Sequence, residues 1–286
     1  MSVLSRPYFH DETEAFAFVE GIIWPTGPVC PHCGGFERIT AIAANPAKRV
    51  RYGLKKCGQC KCQFTVRMGT IFEESKLPMT KWLQAIFLMT ASKKGVSSHQ
   101  LHRTLEVTYK TAWFLARRVR EAMRSGELAP LGPGGGIVEA DEMFIGVEPG
   151  EPITRGGNHK MKVLAPVDRT TGEKRSFVLD FVNARVTGEG YAGHGHTNHA
   201  AGEYVSRFNP LVHTNTVEGS FSNFKRGMRG VYQHCSKKHL HRYPAEFDFR
   251  YNHRTANGWS DTERAEKLLR GVIGKRLTYE TTCARA

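Results

Sequence analysis

Residues 136–148 read GIVEADEMFIGVE, and the fold of the second half of the chain turns on how this stretch is taken. Val138, Ala140, Met143 and Ile145 alternate imperfectly with polar positions, which is the period of a strand. Asp141 then falls at mid-strand, with Glu139 and Glu142 as neighbours. A carboxylate inside a strand is costly unless it binds something, so Asp141 is the first candidate for a functional acid. Downstream, HKMKVLAPVDRTTGEKRSFVLDFVNA (159–184) reads as two strands joined by a hairpin turn at residues 168–172. The expectation is a three-stranded meander whose third strand ends near Ala184.

Beyond the meander comes NTVEGSFSNFKRGMRGVYQHCSKKHLHRYPAEFDFRYNHR (215–254). Its start predicts a helix over 215–229, capped by Thr214 or Asn215. Glu218 and Lys225 are seven residues apart and share a face, as do Asn215 and Glu218. A carboxylate and a lysine two turns apart can hold a divalent metal and a phosphate. An ordinary solvated ion-pair face has the same spacing, so the helix alone does not decide.

Upstream of the strand, SGELAPLGPGGG (125–136) is rich in Gly and Pro and marks the clearest boundary in the chain. Before it, Trp82, Ile86 and Met89, with Leu83 and Phe87, have helical spacing, and Pro78 and Thr80 mark the start of that helix. Ser97 or Ser98 begins a short helix, LEV makes a turn, and Thr108 can cap a longer one. That longer helix buries Ala112, Leu115, Ala116 and Val119 and is expected to expose Lys110, Arg117, Arg118, Arg120 and Arg124. A short helix, a tight turn and a basic helix make a helix-turn-helix that binds DNA.

Nearer the N-terminus, Cys30-Pro-His-Cys33 and Cys57-Gly-Gln-Cys60 are two C-x-x-C pairs. This is the spacing of a zinc ribbon, in which four thiolates hold one tetrahedral zinc. Gly34 and Gly58 suit the knuckle turns, and the flanking ERITAIA and RVRYGLKK read as short strands. So small a segment buries little apolar surface, and zinc should supply most of its folding energy. Cys62 is read as a bystander.

The charge distribution fits this order. The chain has 286 residues with 41 Lys+Arg and 27 Asp+Glu, a net charge of +14. Residues 76–125 hold ten bases and two acids, residues 126–205 seven and eleven, and residues 206–286 fifteen and seven. An acidic segment between two basic ones suits metal-dependent phosphoryl transfer on a nucleic acid. A hydrophobic fraction of 40% excludes wholesale disorder. No run of about 18 apolar residues spans a membrane, and the N-terminus has acids where a signal peptide has bases. A cytoplasmic, nucleoid-associated protein is expected, with cysteines that bind metal rather than form disulfides.

Taken together, several motifs resemble prokaryotic insertion-sequence transposases of the ISXO type, which carry an N-terminal zinc ribbon and a DDE domain of RNase H-like fold. They are CPHCG…CGQC, FTVRMGTIFEESKLPMTKWLQAIFLM, KKGVSSHQL, TYKTAWFLARRVREAM, VEADEMFIG, HTNHAAGEYV and the stretch from VHTNTVEG to FRYNHR. The resemblance runs from about residue 10 to the GKRLTY that ends at Tyr279. It implies α+β domains in order: a zinc ribbon with flanking helix (1–75), a helix-turn-helix (76–125), a linker (126–136) and an RNase H-like DDE domain (137–286). It also implies an enzyme that binds the terminal inverted repeats of its element as double-stranded DNA, cleaves a phosphodiester at each end and joins the 3′ hydroxyl to target DNA. Magnesium or manganese would serve the chemistry, and pairing two ends implies a homodimer or larger assembly. The first carboxylate maps to Asp141, the third to Glu218 with Asn215 as a secondary candidate, and the basic residue to Lys225.

The pattern breaks at the second Asp. The family carries a helix and a fourth strand after the meander, yet only nine residues lie between Ala184 and His194. A helix of about 11 residues and a strand of about 5 do not fit there. Where the family reads much like T-D-E-G, this chain has Thr187-Gly188-Glu189-Gly190. The expectation is an internal deletion that removes the fourth strand and the second Asp. Glu189 is then a secondary candidate, with Asp168, Asp180 and Glu203 as weaker ones, and His194, His196 and His199 read as a polar loop. The function expected is a transposase with impaired chemistry. The alternatives are a catalytically inactive DNA-binding remnant that represses transposition, and, more remotely, a zinc-ribbon transcription factor.

Overall fold

The computed structural model describes residues 2–125, 131–132, 135–148, 150–154, 159–180, 195, 197 and 203–277. Among the described residues the chain folds as an α+β protein with two small three-stranded sheets. It divides into two compact units: residues 1–92, 98–123 and 259–286, and residues 93–97 and 124–258. The last helix thus belongs with the first unit rather than with the stretch from residue 137 onward.

In the first unit, α1 (Glu12–Ile23) starts at Asp11, whose side chain accepts from the Glu14 N–H. Its buried residues Ala15, Phe16, Val19 and Ile23 fall on one stripe. Three short antiparallel strands follow, β1 (Ile39–Ala41), β2 (Lys55–Cys57) and β3 (Gln63–Phe64), in the order β1-β2-β3. Helix α2 (Met79–Ala91) buries Met79, Trp82, Leu83, Ile86 and Met89, the periodicity read from the sequence. Its first turn is capped from a distance, because the Glu12 carboxylate accepts the N–H groups of Met79 and Thr80 at 2.8 and 3.2 Å. An acid there meets the positive end of the helix dipole.

Helices α3 (Ser98–Leu105) and α4 (Tyr109–Met123) are joined by three residues, with Glu106 in the left-handed region at φ 52°. Thr108 Oγ1 accepts the Thr111 N–H and so caps α4. Ala112, Leu115, Ala116 and Val119 are buried, as expected.

In the second unit, β4 (Val138–Ile145), β5 (Met161–Asp168) and β6 (Phe177–Leu179) form an antiparallel meander in the order β4-β5-β6. Asp141 pairs with Ala165 and Glu139 with Val167. Helix α5 (Asn215–Gly227) lays Val217, Phe221 and Phe224 against Met143, Met161, Val163, Ala165 and Val167 of the sheet. Burying side chains of this size is worth roughly 1.5–3 kcal/mol each. The α-helical hydrogen bonding stops at Gly227, and a π-helical turn carries the chain through Met228–Tyr232. Gly227 sits where a Cβ would lie 2.8 Å from the Lys94 carbonyl oxygen and against Phe247, so no larger residue fits. A short α6 (Lys237–Leu240) and α7 (Arg242–Asn252) add Leu240 and Phe247 to this core.

The chain then returns to the first unit through α8 (Asp261–Arg270). It opens with a capping box between Ser260 and Glu263, and Arg264 donates to the Thr90 carbonyl at 2.9 Å.

Candidate functional site

The cysteine pairs converge. The sulfurs of Cys30, Cys33, Cys57 and Cys60 all lie within 4.8 Å of one another, with Cys30–Cys60 at 3.7 Å and Cys33–Cys57 at 3.6 Å. Four thiolates about 2.3 Å from a tetrahedral zinc stand about 3.75 Å apart, so the cluster fits one zinc. Backbone geometry builds the two knuckles. Gly34 has φ +72° and donates to the Cys30 carbonyl. Gly58 is required for a different reason than left-handed backbone: a Cβ there would lie 2.9 Å from the Arg38 carbonyl oxygen, which accepts the Gly58 N–H. Lys61 takes the left-handed position instead, at φ 63°. The Cys57 thiol is drawn down to about 6, first by the Cys60 backbone N–H, against desolvation, and then by the Gln59 N–H. Cys62 stands outside the group.

The basic helix presents fewer charges than its sequence suggests. Lys110 and Arg124 are exposed, but Arg118 and Arg120 are buried, at 5% and 3% exposure. Arg118 donates from Nη1 to the carbonyls of Ile71 and Glu73 at 2.9 and 2.7 Å, so its guanidinium ties α4 to the preceding loop. Arg117 is half-buried, with its guanidinium 4.5 Å from the Trp113 ring centroid. The expectation that α4 exposes Arg118 and Arg120 is therefore corrected. The helix is amphipathic, and its long cationic side chains cover apolar surface as well as facing water. A cavity of about 450 Å³ beside α4 has Trp82, Phe114 and Leu115 in its wall and Lys76 and Lys110 among its lining.

In the second unit Asp141 lies on β4 and is half-buried, while Glu218 lies in the first turn of α5 and accepts from Thr214 Oγ1 at 3.1 Å. Asn215 and Lys225 are exposed on the same helix. The contact that joins these elements comes from a residue that the sequence marks only as a neighbour of Asp141. Glu139, 4% exposed, accepts the Val217 N–H at 2.9 Å through Oε1. Its Oε2 accepts from Arg169 Nε at 2.9 Å and lies 3.7 Å from His213 Nδ1. Strand alternation puts Glu139 on the face of Asp141, and Val217 immediately precedes Glu218. The signal was present as the i, i+2 spacing of two acids on one strand.

The weaker candidates have other work. Asp168, 1% exposed, accepts the N–H groups of Thr170, Thr171 and Gly132. Burial opposes its charge, yet these N–H groups hold its carboxyl below the usual range. It builds the hairpin turn. Asp180 pairs with Lys237 at 2.6 Å, and that ammonium lowers its carboxyl; Lys237 also pairs with Glu148. Glu203 accepts the Arg207 N–H at 3.1 Å. The expectations for Gly188, Glu189, His194, His196 and His199, with the whole 185–193 stretch, lie outside the described residues. Among the described residues, the cysteine cluster is the one group of three or more Cys, His, Asp or Glu at metal-ligand spacing.

The donors Asp141 and Glu218 have the hard oxygen chemistry that magnesium prefers. Two ions held about 3.5–4 Å apart ask for more carboxylates than this pair supplies.

Among known proteins, residues 10–63 match the transposase zinc-ribbon domain and residues 184–252 the ISXO2-like transposase domain. The second match includes Glu218, Lys225 and Asn215 and leaves out the strand with Asp141. The chain is also 29% identical over 288 residues to an uncharacterized protein in transposable element ISH50 of Halobacterium salinarum, covering 85% of this chain and 91% of that one. No solved structure matches. Among the described residues, no helix is long and apolar enough to cross a membrane. A zinc-ribbon match ahead of an ISXO2-like transposase match, together with the likeness to a protein of a transposable element, makes the chain similar to insertion-sequence DDE transposases with an N-terminal zinc ribbon.

Proposed function

We propose that the chain binds the terminal inverted repeats of its element and derives from an enzyme of metal-dependent DNA strand cleavage and transfer, with that chemistry impaired. The observation that carries the reading is the Glu139–Val217 hydrogen bond, which fastens the Glu218 turn to the strand of Asp141. In this reading Asp141 and Glu218 hold a magnesium or manganese ion, with Asn215 and Glu189 as secondary ligands. Lys225 orients a DNA phosphate. When bound, the metal would polarise the phosphodiester and the attacking oxygen. An antiparallel meander followed by a helix packed on its face is consistent with an RNase H-like domain. Helices α3 and α4 serve as a helix-turn-helix, with Lys110, Arg117 and Arg124 reaching DNA and Arg118 and Arg120 bracing the helix. Two copies or more would pair the two ends.

Loss of the second Asp is read from the nine residues between Ala184 and His194, too few for the helix and strand that would carry it. The alignment with the ISH50 protein runs over 288 positions but covers 85% of 286 residues, about 243, so about 45 positions have no residue in this chain. The short spacing between Ala184 and His194 favours a second reading, an inactive DNA-binding remnant that competes for the element's ends and represses transposition.

Binding separates both readings from an unrelated basic protein. Fluorescence anisotropy on duplexes carrying the element's ends should show a preference of at least 10³-fold over unrelated duplex, the low end for specific DNA binders. Equal affinity for both duplexes would overturn the proposal.

A further inference from the structure

The Glu139 network has a shape that a space-filling ion pair does not require. Glu139 is 4% exposed, and its carboxylate is met from two other segments, the hairpin turn through Arg169 and the first turn of α5 through the Val217 N–H. Arg169 continues the link, donating from Nη2 to the His213 carbonyl at 2.8 Å and to His213 Nδ1 at 2.7 Å, and from Nη1 to the Leu211 carbonyl. It thus holds the segment that leads into α5. The N–H of the third helical residue has no partner within the helix, so an acceptor there fixes where the helix begins. Here the acceptor is a carboxylate borne by the strand of Asp141, two residues away. A buried carboxylate is retained only where its charge is paired and its lone pairs are used, and every partner of Glu139 lies on a segment bordering Asp141 or Glu218.

We propose that Glu139 is a positioning residue: with Arg169 it locks the first turn of α5 to β4 and thereby sets the separation of Asp141 and Glu218, so that both reach one divalent ion. This rests on reading those two carboxylates as the acidic site. The same lock operates whether or not the second Asp is present, because none of its members lies in the 185–193 stretch.

The test titrates Mg²⁺ alone into the full-length chain, labelled with ¹³C and ¹⁵N, and follows the side-chain carboxyl carbons of Asp141 and Glu218. In the wild type the two should shift with one midpoint. In Glu139→Ala the Glu218 shift should fall several-fold or vanish while the Asp141 shift persists. Glu139→Gln, whose amide oxygen can still accept the Val217 N–H, should restore at least half of it. Val163→Ala loosens the same core without touching the network and should leave both shifts coupled; a merely structural role for Glu139 makes it behave like Glu139→Ala. If Glu139→Ala does not fold, Arg169→Gln replaces it with the same expectation. Coupled shifts in Glu139→Ala, or in its replacement, overturn the inference, as does a matching loss in Val163→Ala or no recovery in Glu139→Gln. Asp141→Asn separates the two levels. If it abolishes both shifts while Glu139→Ala changes neither, the acidic site stands and the positioning role falls. If the wild type shows no shift that Asp141→Asn removes, the acidic site falls and takes the positioning role with it.

Discussion

The zinc ribbon and the proposed acidic site would hold a cation by opposite routes. The ribbon draws its four ligands from two tetrapeptides, Cys30–Cys33 and Cys57–Cys60, each pair held in its own knuckle. Its apolar cluster is small, with Cys30, Cys57 and Phe64 as the buried members. The acidic site takes its carboxylates from a strand and a helix 77 residues apart in sequence, and the frame comes first: a core of Met143, Met161, Val163, Phe221 and Phe224 that needs no ion. In the ribbon the metal makes the fold. In the second unit, on the proposed reading, the fold would make the place for the metal, so loss of a segment would leave the frame while removing ligands.

Breaking the comparison at its strongest point means removing zinc. Structural zinc in small domains contributes an apparent 10–16 kcal/mol, about the whole stability of the segment. Cys57→Ser, or a chelator, should strip hydrogen-exchange protection from residues 30–64 while β4 and β5 keep theirs. Purified wild-type chain should carry one zinc by atomic emission. Protection that survives without zinc would mean the ribbon has a core of its own.

The complementary perturbation is in the apolar frame. Phe224→Ala empties a site that is 1% exposed, and removing a buried aromatic costs about 3–5 kcal/mol. Thermal unfolding of the second unit should fall accordingly, with zinc content unchanged.

A smaller effect separates a structural acid from a functional one. Asp168→Asn should destabilise by about 1–3 kcal/mol, the cost of weakening a charged acceptor of buried N–H groups, and should leave Mg²⁺ binding alone. Its carboxyl is held below the ordinary value, so its contribution is complete above the unfolded range, near pH 3.9, and is lost as pH falls through the folded value. Urea unfolding at neutral pH should separate wild type from variant, and the curves should converge on acidification. A gap that persists in acid would assign the effect to packing.

The smallest effect concerns DNA. Lys110→Ala should lower the salt dependence of binding by about 0.9 in slope for one lost phosphate contact, with stability unchanged. Arg118→Ala should do the reverse, because its guanidinium serves the carbonyls of Ile71 and Glu73.

What the sequence disclosed follows the same division. The C-x-x-C pairs are local, so ligand identity could be read from spacing alone. The period-two pattern of β4 and the turn at 168–172 were equally local, and the strand order of the meander is as read, with the third strand described over Phe177–Leu179 and its expected end near Ala184 outside the described residues. Exposure on α4 was not legible, because helical spacing distinguishes faces but does not say what packs on them; Arg118 is buried against the Ile71 and Glu73 carbonyls, and Arg120 is 3% exposed. Glu139 was hidden by Asp141 beside it, since its partners Arg169, His213 and Val217 are 30, 74 and 78 residues away. The return of α8 to the first unit brings Arg264 to the Thr90 carbonyl, a contact across 174 residues that no local pattern announces.

The central claim is a transposase whose DNA-binding side stands while its chemistry is impaired. It is tested most directly by incubating the chain with end-labelled DNA carrying the element's inverted repeats and Mg²⁺ or Mn²⁺, then resolving nicked and joined products on a denaturing gel. The account predicts retention of the DNA by the protein with cleavage far below that of a relative with a full-length DDE domain. Robust metal-dependent cleavage and strand transfer, abolished by Asp141→Asn, would contradict it and point to Glu189 or Asp180 as the replacement carboxylate.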